Sequence, residues 1–174
     1  MKRKTVYIAG VFIMLFVISV GAKTPSRHSK KAIKVNFKLL EAYTQKTVGG
    51  IPGAPSPTTN HFIVLWEAAG YPETFFWRGA NGFLMCKIER AHKIGKKQAN
   101  NYPPGMEYAT ENISGGKIHK GDTLEITPVT GGKYAVPQEV AATAQNTLYY
   151  KTGGSGWLSF PVMNIIKKQD LVMQ

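Results

Sequence analysis

The chain has 174 residues, with 22 Lys and Arg against 10 Asp and Glu and a single cysteine, Cys86. This length suits one domain with its own hydrophobic core, and one cysteine cannot form a disulfide within the chain. The four histidines are widely scattered, which argues against a zinc site, and no cofactor motif is present, so we expect neither a metal nor a cofactor.

The first 22 residues have the layout of a secretory signal peptide. Lys2, Arg3 and Lys4 form a positive start, residues 7–21 are apolar and uncharged, and small residues occupy positions 20–22. The alternative is an uncleaved anchor, because residues 6–22 are just long enough to span a bilayer. We expect cleavage, and hence a protein in the periplasm, on the cell surface or in the medium.

Residues 23–31 (KTPSRHSKK) form a basic tail without apolar periodicity, which predicts a flexible segment ahead of a single domain at 32–174. Its cations Lys23, Arg27, Lys30 and Lys31 are candidates for weak contact with an anionic membrane surface. A second basic cluster comprises Lys87, Arg90, His92, Lys93, Lys96 and Lys97. We interpret this cluster as a solvated basic face, and the alternative is attraction to anionic envelope lipid, an acidic glycan or an acidic partner. Export would separate the protein from most nucleic acid, so we expect no nucleic-acid partner.

Alternating apolar residues at 32–44 predict a half-buried strand. A stretch rich in Gly, Pro, Ser and Thr follows at 47–60 and predicts a long loop. The apolar, β-branched run at 61–67 (HFIVLWE) predicts a central strand, which AAGYP ends. Residues 106–120 give little signal beyond a turn at Gly115-Gly116.

Residues 75–86 (FFWRGANGFLMC) combine two strand-like runs with a Gly-Ala-Asn-Gly tetrad. The Asn-Gly pair tolerates positive φ, so this segment predicts a β-hairpin. Its second arm is ambiguous, since apolar residues at 85–97 also fit a helical stripe. Two strands are predicted next, at 123–129, ending near Pro128, and at 134–136. A short helix is predicted at 137–146. A second hairpin follows, with arms at 148–151 and 157–162, and then a last strand at 165–166.

Seven to nine short strands separated by Gly- and Pro-rich turns predict an all-β fold. We expect a single-domain antiparallel β-sandwich or barrel with at most one or two short helices. A mixed α+β domain is the alternative if residues 85–97 and 137–146 are both helical.

The two predicted hairpins resemble each other: FFWRGANGFL matches LYYKTGGSGWL over about ten positions with a one-residue difference in the loop. Each places bulky residues and a cation before a Gly-rich loop, and an aromatic residue and a Leu after it. Such rings could stack on a sugar or form a protein hot spot, although aromatic cross-strand pairs are also ordinary sheet packing. The candidate ligand-binding residues are Trp77, Arg78, Tyr149, Tyr150, Lys151 and Trp157.

Catalytic signals are weak. Cys86 with His92 or His61 could form a thiol nucleophile and base, but the spacing requires a chain reversal that the sequence does not indicate, so we interpret Cys86 as a core residue. Three acids, Glu67, Glu73 and Glu89, could supply a carboxylate pair for glycoside hydrolysis, without a distinguishing spacing. Ser155 lacks the glycine that a nucleophile elbow needs at position 157. No catalytic residue is assigned.

The sequence therefore predicts an exported, non-catalytic β-domain that binds a glycan or an envelope or surface protein through its aromatic hairpins. Two alternatives stay open. One is a small secreted hydrolase that uses Cys86 or a carboxylate pair, and the other is a structural protein of the cell envelope.

Overall fold

The fold is given by a computed structural model that describes residues 35–49, 53, 55–80, 82–113, 117–131, 134–140 and 145–173. These residues belong to the compact unit Lys34–Gln174. The predicted signal peptide and basic tail, at 1–31, lie outside the described residues. Within the described ranges, no helix has the length and apolarity that crossing a membrane would take.

The described chain is built almost entirely from strands. They are β1 (Phe37–Val48), β2 (Thr58–Trp66), β3 (Pro72–Gly79), β4 (Gly82–Lys93), β5 (Tyr108–Asn112), β6 (Thr123–Pro128), β7 (Thr147–Thr152), β8 (Leu158–Pro161), β9 (Ile166–Lys167) and β10 (Leu171–Val172). Short 3-10 turns occur at Ala99–Asn101 and Gln138–Val140. The prediction of an all-β fold is confirmed.

The strands form one curled sheet, a half-barrel, in the order β10-β1-β2-β6-β4-β3-β7-β8. β5 pairs with the end of β4, and β9 pairs with β1. Neighbouring strands are antiparallel except where β9 and β10 run parallel to β1. The last residues of the chain therefore lie against its first described strand.

One face of the curled sheet carries the main hydrophobic core. Alternate residues of the central strands point into it, and its largest fully buried side chains include Phe62, Trp66, Phe75, Trp77, Leu124, Ile126, Leu148 and Tyr150. Burying a large apolar side chain contributes about 1.5–3 kcal/mol, so this face supplies most of the driving force for folding.

The first strand departs from the simple alternation that the sequence predicts. The β1–β2 register shifts between Leu39 and Glu41, which marks a β-bulge. Phe37 lies in the main core before the shift, and Ala42 rather than Glu41 returns to it afterwards. Tyr43 consequently faces the other side of the sheet, where a separate polar cluster is built.

Several predicted elements need correction. Residues 85–93 are strand, which removes the helical alternative there. No strand forms at 134–136, and the helix predicted at 137–146 is only a 3-10 turn at Gln138–Val140, with residues 141–144 outside the described part. The strand β5 was not predicted, because its sequence YATEN has no apolar alternation and its pairing comes from β4.

Candidate functional site

Both predicted hairpins are present, and they are neighbours in the sheet. The first joins β3 to β4 with Gly79 opposite Gly82, and the second joins β7 to β8. Their inner strands, β3 and β7, pair antiparallel with Phe76 opposite Tyr149. These two residues are equivalent in the sequence match, so the pairing relates the hairpins by a local pseudo-twofold axis.

The same symmetry holds one step outward from the axis. Trp77 pairs with Leu84 in the first hairpin, and the equivalent Tyr150 pairs with Leu158 in the second. Sequence comparison detected the likeness of the two hairpins but gave no reason to expect that they pair with each other.

Ring contacts follow the symmetry on the face opposite the main core. Phe76 lies 5.6 Å from Trp157 between ring centroids, and the equivalent Tyr149–Phe83 separation is 5.9 Å. We call the surface formed by Phe76, Arg78, Phe83, Tyr149, Lys151 and Trp157 the hairpin face. Each hairpin contributes two aromatic residues and one cation to it.

A segment from 134 to 140 covers part of the hairpin face. The Tyr134 hydroxyl donates a hydrogen bond to the Phe83 carbonyl at 2.6 Å, and its ring lies 5.6 Å from that of Phe76. Val140, the last residue of this segment, is fully buried in a cluster with Phe76 and Tyr149. The covered part is thus a second, smaller core, and only the margins of the hairpin face reach solvent.

Half of the predicted ligand-binding residues are core residues. Trp77 and Tyr150 point into the main core, where the Trp77 ring lies 4.6 Å from Phe62 and the Tyr150 ring stacks 5.3 Å from Phe75. Tyr149 is on the hairpin face but is also buried. Burial leaves none of these three rings a face on which a ligand could stack, so we leave them out of the candidate site.

Arg78, Lys151 and Trp157 remain partly exposed. The Arg78 guanidinium lies over the Phe83 ring, 4.8 Å from its centroid, and its Nε is buried with no hydrogen-bond partner among the described residues. Within the described ranges, the one ion pair of Lys151 is a long contact of 3.7 Å with Glu73.

The pairing of β3 with β7 determines the positions of the two cations. Arg78 is opposite Thr147, and Lys151 is opposite Thr74, so the cations flank the Phe76–Tyr149 pair on either side. The face thus has aromatic rings at its centre and one cation toward each end. An elongated ligand with acidic groups would match this arrangement.

Beside the hairpin face is a shallow cavity of about 210 Å³, lined by Met85, Cys86, Lys87, Val129 and Tyr134. Met85 and Val129 are both more than two-fifths exposed. The apolar surface of the hairpin face therefore continues beyond its rings.

Cys86 is a buried free thiol of the main core. Its Sγ contacts the Leu84 carbonyl at 3.8 Å, and desolvation by burial raises the pKa of the thiol far above its ordinary value. The interpretation as a core residue is confirmed. A thiol that resists ionisation is a poor nucleophile.

The three candidate carboxylates are dispersed. Glu73 faces Lys151, Glu67 is exposed, and Glu89 pairs with Lys87 at 2.8 Å. The cross-strand neighbour of Glu89 is Glu125, which the sequence did not single out.

Glu125 belongs to a polar cluster on the face that Tyr43 joins after the β1 bulge. His61 Nδ1 lies 2.5 Å from a Glu125 carboxylate oxygen, and the His61 ring stacks on Tyr43 with centroids 4.8 Å apart. A cavity of about 200 Å³ adjoins these residues and Glu89. Burial and the nearby carboxylates of Glu125 and Glu41 raise the pKa of the Tyr43 hydroxyl.

The other side of Tyr43 is covered by Lys168, whose Nζ lies 3.9 Å from the ring centroid. The same ammonium pairs with Glu41 and Glu107, at 2.9 Å each. Burial alone would lower the pKa of Lys168, but its hydrogen bonds to Glu107 and Glu41 outweigh burial and raise that pKa.

Gln45 completes this arrangement by donating from Nε2 to the carbonyls of Gly105, at 3.0 Å, and Gln169, at 2.9 Å. We call Tyr43, Gln45, Lys168 and the two carboxylates that pair with Lys168 the C-terminal clasp. The clasp fastens the end of the chain to β1, so we assign it a structural role. Its residues come from distant segments, and no sequence motif marks them.

Among the residues that the structure describes, no group of three or more His, Cys, Asp and Glu side chains is placed to hold a metal ion. No protein-family model, curated protein or solved structure matches the chain.

Proposed function

We propose that the protein is an exported, non-catalytic binding domain whose hairpin face takes an acidic glycan. The observation that carries the proposal is Arg78, a partly exposed cation that lies over the Phe83 ring at the margin of an aromatic surface and pairs with no described carboxylate.

An anionic ligand would supply the missing partner of this cation. The guanidinium is a rigid fork that binds carboxylate, sulfate or phosphate groups with two parallel hydrogen bonds. The Phe83 ring contacts the guanidinium without accepting a conventional hydrogen bond from it, so this cation–π contact does not occupy the N–H donors. No described carboxylate pairs with Arg78, so the charge is available to a ligand.

A sugar ring fits the apolar part of the hairpin face. Trp157 and Tyr134 are partly exposed aromatic residues at its margin. Lys151 lies toward the opposite end from Arg78, and its long ion pair with Glu73 is a weak competitor because exposed pairs contribute only about 0–1 kcal/mol. A glycan with spaced acidic groups could engage both cations.

Export is the part of the proposal that rests on sequence alone. The predicted signal peptide at 1–22 places the domain outside the cytoplasm. Contact of Lys23, Arg27, Lys30 and Lys31 with an anionic membrane surface would hold the domain near the envelope, where acidic glycans occur. The proposal of export and the proposal of glycan binding are independent, because the tail cations lie outside the described residues that form the hairpin face.

The test measures binding of the mature domain to an acidic polysaccharide, polygalacturonate, and to its neutral methyl ester by calorimetry. We expect Arg78→Lys to weaken binding about tenfold by removing the fork, and Arg78→Met and Trp157→Ala to weaken it further. Lys46→Met, an exposed cation elsewhere, is the matched control.

Equal binding of the acidic and neutral polymers, or undiminished binding by folded Arg78→Met and Trp157→Ala variants, would refute the glycan proposal. If the wild type retains an envelope protein and these variants lose it, the partner of the hairpin face is a protein.

A further inference from the structure

A second concave surface lies apart from the hairpin face. It is a groove of about 620 Å³ at one end of the main core, bordered by Tyr71, Ile88, Ile113, Lys117, Ile118 and His119. This volume falls in the range of pockets that bind small molecules. The groove and the hairpin face share no residue.

Three isoleucines make the lining of the groove apolar. Ile88, Ile113 and Ile118 are partly buried and pack against the main core, so they extend the core to the surface. Tyr71 stands at the rim with 60% of its surface exposed. A cluster of exposed large aromatic and aliphatic side chains is typical of an interaction site, because covering it removes apolar area from water.

The rim is cationic because nearby acids are already neutralised. Arg90 pairs with Glu111 at 2.9 Å and with Asp122 at 3.1 Å. The Asp122 carboxylate also accepts a hydrogen bond from the His119 backbone at 2.9 Å. Lys117 makes no ion pair within the described part of the chain, so its ammonium is the free charge at this rim.

Arg90 also holds the backbone of Lys117 in place. Its Nη2 donates to the Lys117 carbonyl at 3.0 Å, which anchors the backbone at the groove's edge. An apolar groove with a lysine at its rim is complementary to one class of ligand, an acyl chain with an anionic head.

We propose that this groove binds a single-chain anionic amphiphile. The chain lies along Ile88, Ile113 and Ile118, and the head group meets Lys117. Charge complementarity selects an anionic head over a cationic or neutral one. The volume suits one chain, so the ligand is a monomeric amphiphile and not the surface of a bilayer.

The protein carries a reporter for this test. Trp66 Nε1 donates to the Gly70 carbonyl at 2.7 Å, and Gly70 lines the groove. Occupation of the groove should therefore change tryptophan fluorescence. The probes for calorimetry and fluorescence on the mature protein are dodecanoate and dodecyltrimethylammonium, each below its micellar concentration, and dodecanol below its solubility limit.

We expect saturable binding of dodecanoate at one site per chain, and binding of the cationic probe about tenfold weaker or more. Ile118→Gln should weaken dodecanoate and dodecanol alike by about tenfold, because both lose the same apolar contact. Lys117→Gln should weaken dodecanoate severalfold and leave dodecanol unchanged. Met163→Gln, an exposed residue outside the groove, is the matched control.

Three results would overturn the proposal. The first is equal binding of all three probes. The second is undiminished dodecanoate binding by Lys117→Gln, an exposed substitution that should not disturb folding even if Ile118→Gln does. The third is binding to phosphatidylglycerol vesicles with none to monomeric dodecanoate, which would make the groove a bilayer contact.

Discussion

Phe76 and Tyr149 face each other across the β3–β7 ladder, and each ring packs on an aromatic residue of the other's hairpin. Phe76 contacts Trp157, and Tyr149 contacts Phe83, at nearly equal centroid separations of 5.6 and 5.9 Å. The hairpins are thus interlocked by exchange of aromatic contacts. We therefore expect that loss of a ring from one hairpin also weakens the packing of the other.

We therefore predict coupled losses of stability for Phe76→Ala and Tyr149→Ala. Each should cost about 3 kcal/mol, as expected for truncating a buried aromatic ring. The double variant should cost less than the sum, because contacting residues do not contribute independently. Urea unfolding of the three variants measures this, with Met163→Ala as an exposed control. Strict additivity would show that the rings act separately.

A second prediction separates the two turn glycines, Gly82 and Gly156, which are equivalent in the hairpin match. Gly82 has φ of +119°, a conformation that L side chains rarely adopt, whereas Gly156 has no such φ and open space around its Cα. Gly82→Ala should destabilise by about 1 kcal/mol or more, and Gly156→Ala should be nearly neutral. Thermal unfolding of the two variants measures these stability changes. Equal losses of stability would contradict the assigned turn geometry.

A third prediction concerns the C-terminal clasp. Lys168→Met removes an ammonium that pairs with two carboxylates, and it should cost about 2 kcal/mol and expose the C-terminus to carboxypeptidase. Lys167→Met, its exposed neighbour on β9, is the control. If the two variants lose the same stability, the clasp has no special role.

The clasp also predicts a pH dependence. The folded-state pKa of Lys168 is raised, so the unfolded chain releases this proton first as the pH rises. Its stabilising contribution should be complete below the ordinary lysine pKa of about 10.4 and disappear as the pH passes the raised value. Denaturant unfolding of the wild type and Lys168→Met between about pH 8 and pH 11 should show converging stabilities only at the alkaline end. Convergence at neutral pH would contradict the assignment.

A fifth prediction tests the thiol. Burial keeps Cys86 protonated, so a disulfide reagent should modify it only as fast as the domain unfolds. A Met163→Cys variant in a Cys86→Ala background provides an exposed thiol for comparison, and it should react at once. Rapid modification of Cys86 in the native protein would reopen the thiol-hydrolase alternative.

Much of the fold was predictable because strand alternation and turn chemistry are local signals. The hairpin at Gly79–Gly82 and the end of β6 at Pro128 follow from residues adjacent in sequence. The bulge after Leu39 was not predictable, since it depends on how β1 meets β2. The strand β5 was missed for the same reason, because a polar segment becomes a strand only when β4 offers it an edge.

The candidate site was predicted less well. Sequence located both hairpins and their cations, but alternation cannot tell which face of a strand a second layer will cover. Phe76 and Tyr149 lie opposite the main core and are nonetheless buried, because the segment at 134–140 folds over them. The partly exposed residues, Arg78 and Trp157, are therefore defined by tertiary structure. The clasp had no local signal at all.

The parallel pairing of β9 and β10 with β1 has a consequence for how the protein is made. The strand β1 is the first described strand to leave the ribosome, and one of its edges stays open until residues 166–172 arrive. An open edge is a template for pairing with other chains. A chain cut short before Ile166 would therefore retain the described strands β1 to β8 and yet be prone to aggregate, so residues 166–172 protect this edge of the sheet from pairing with other chains.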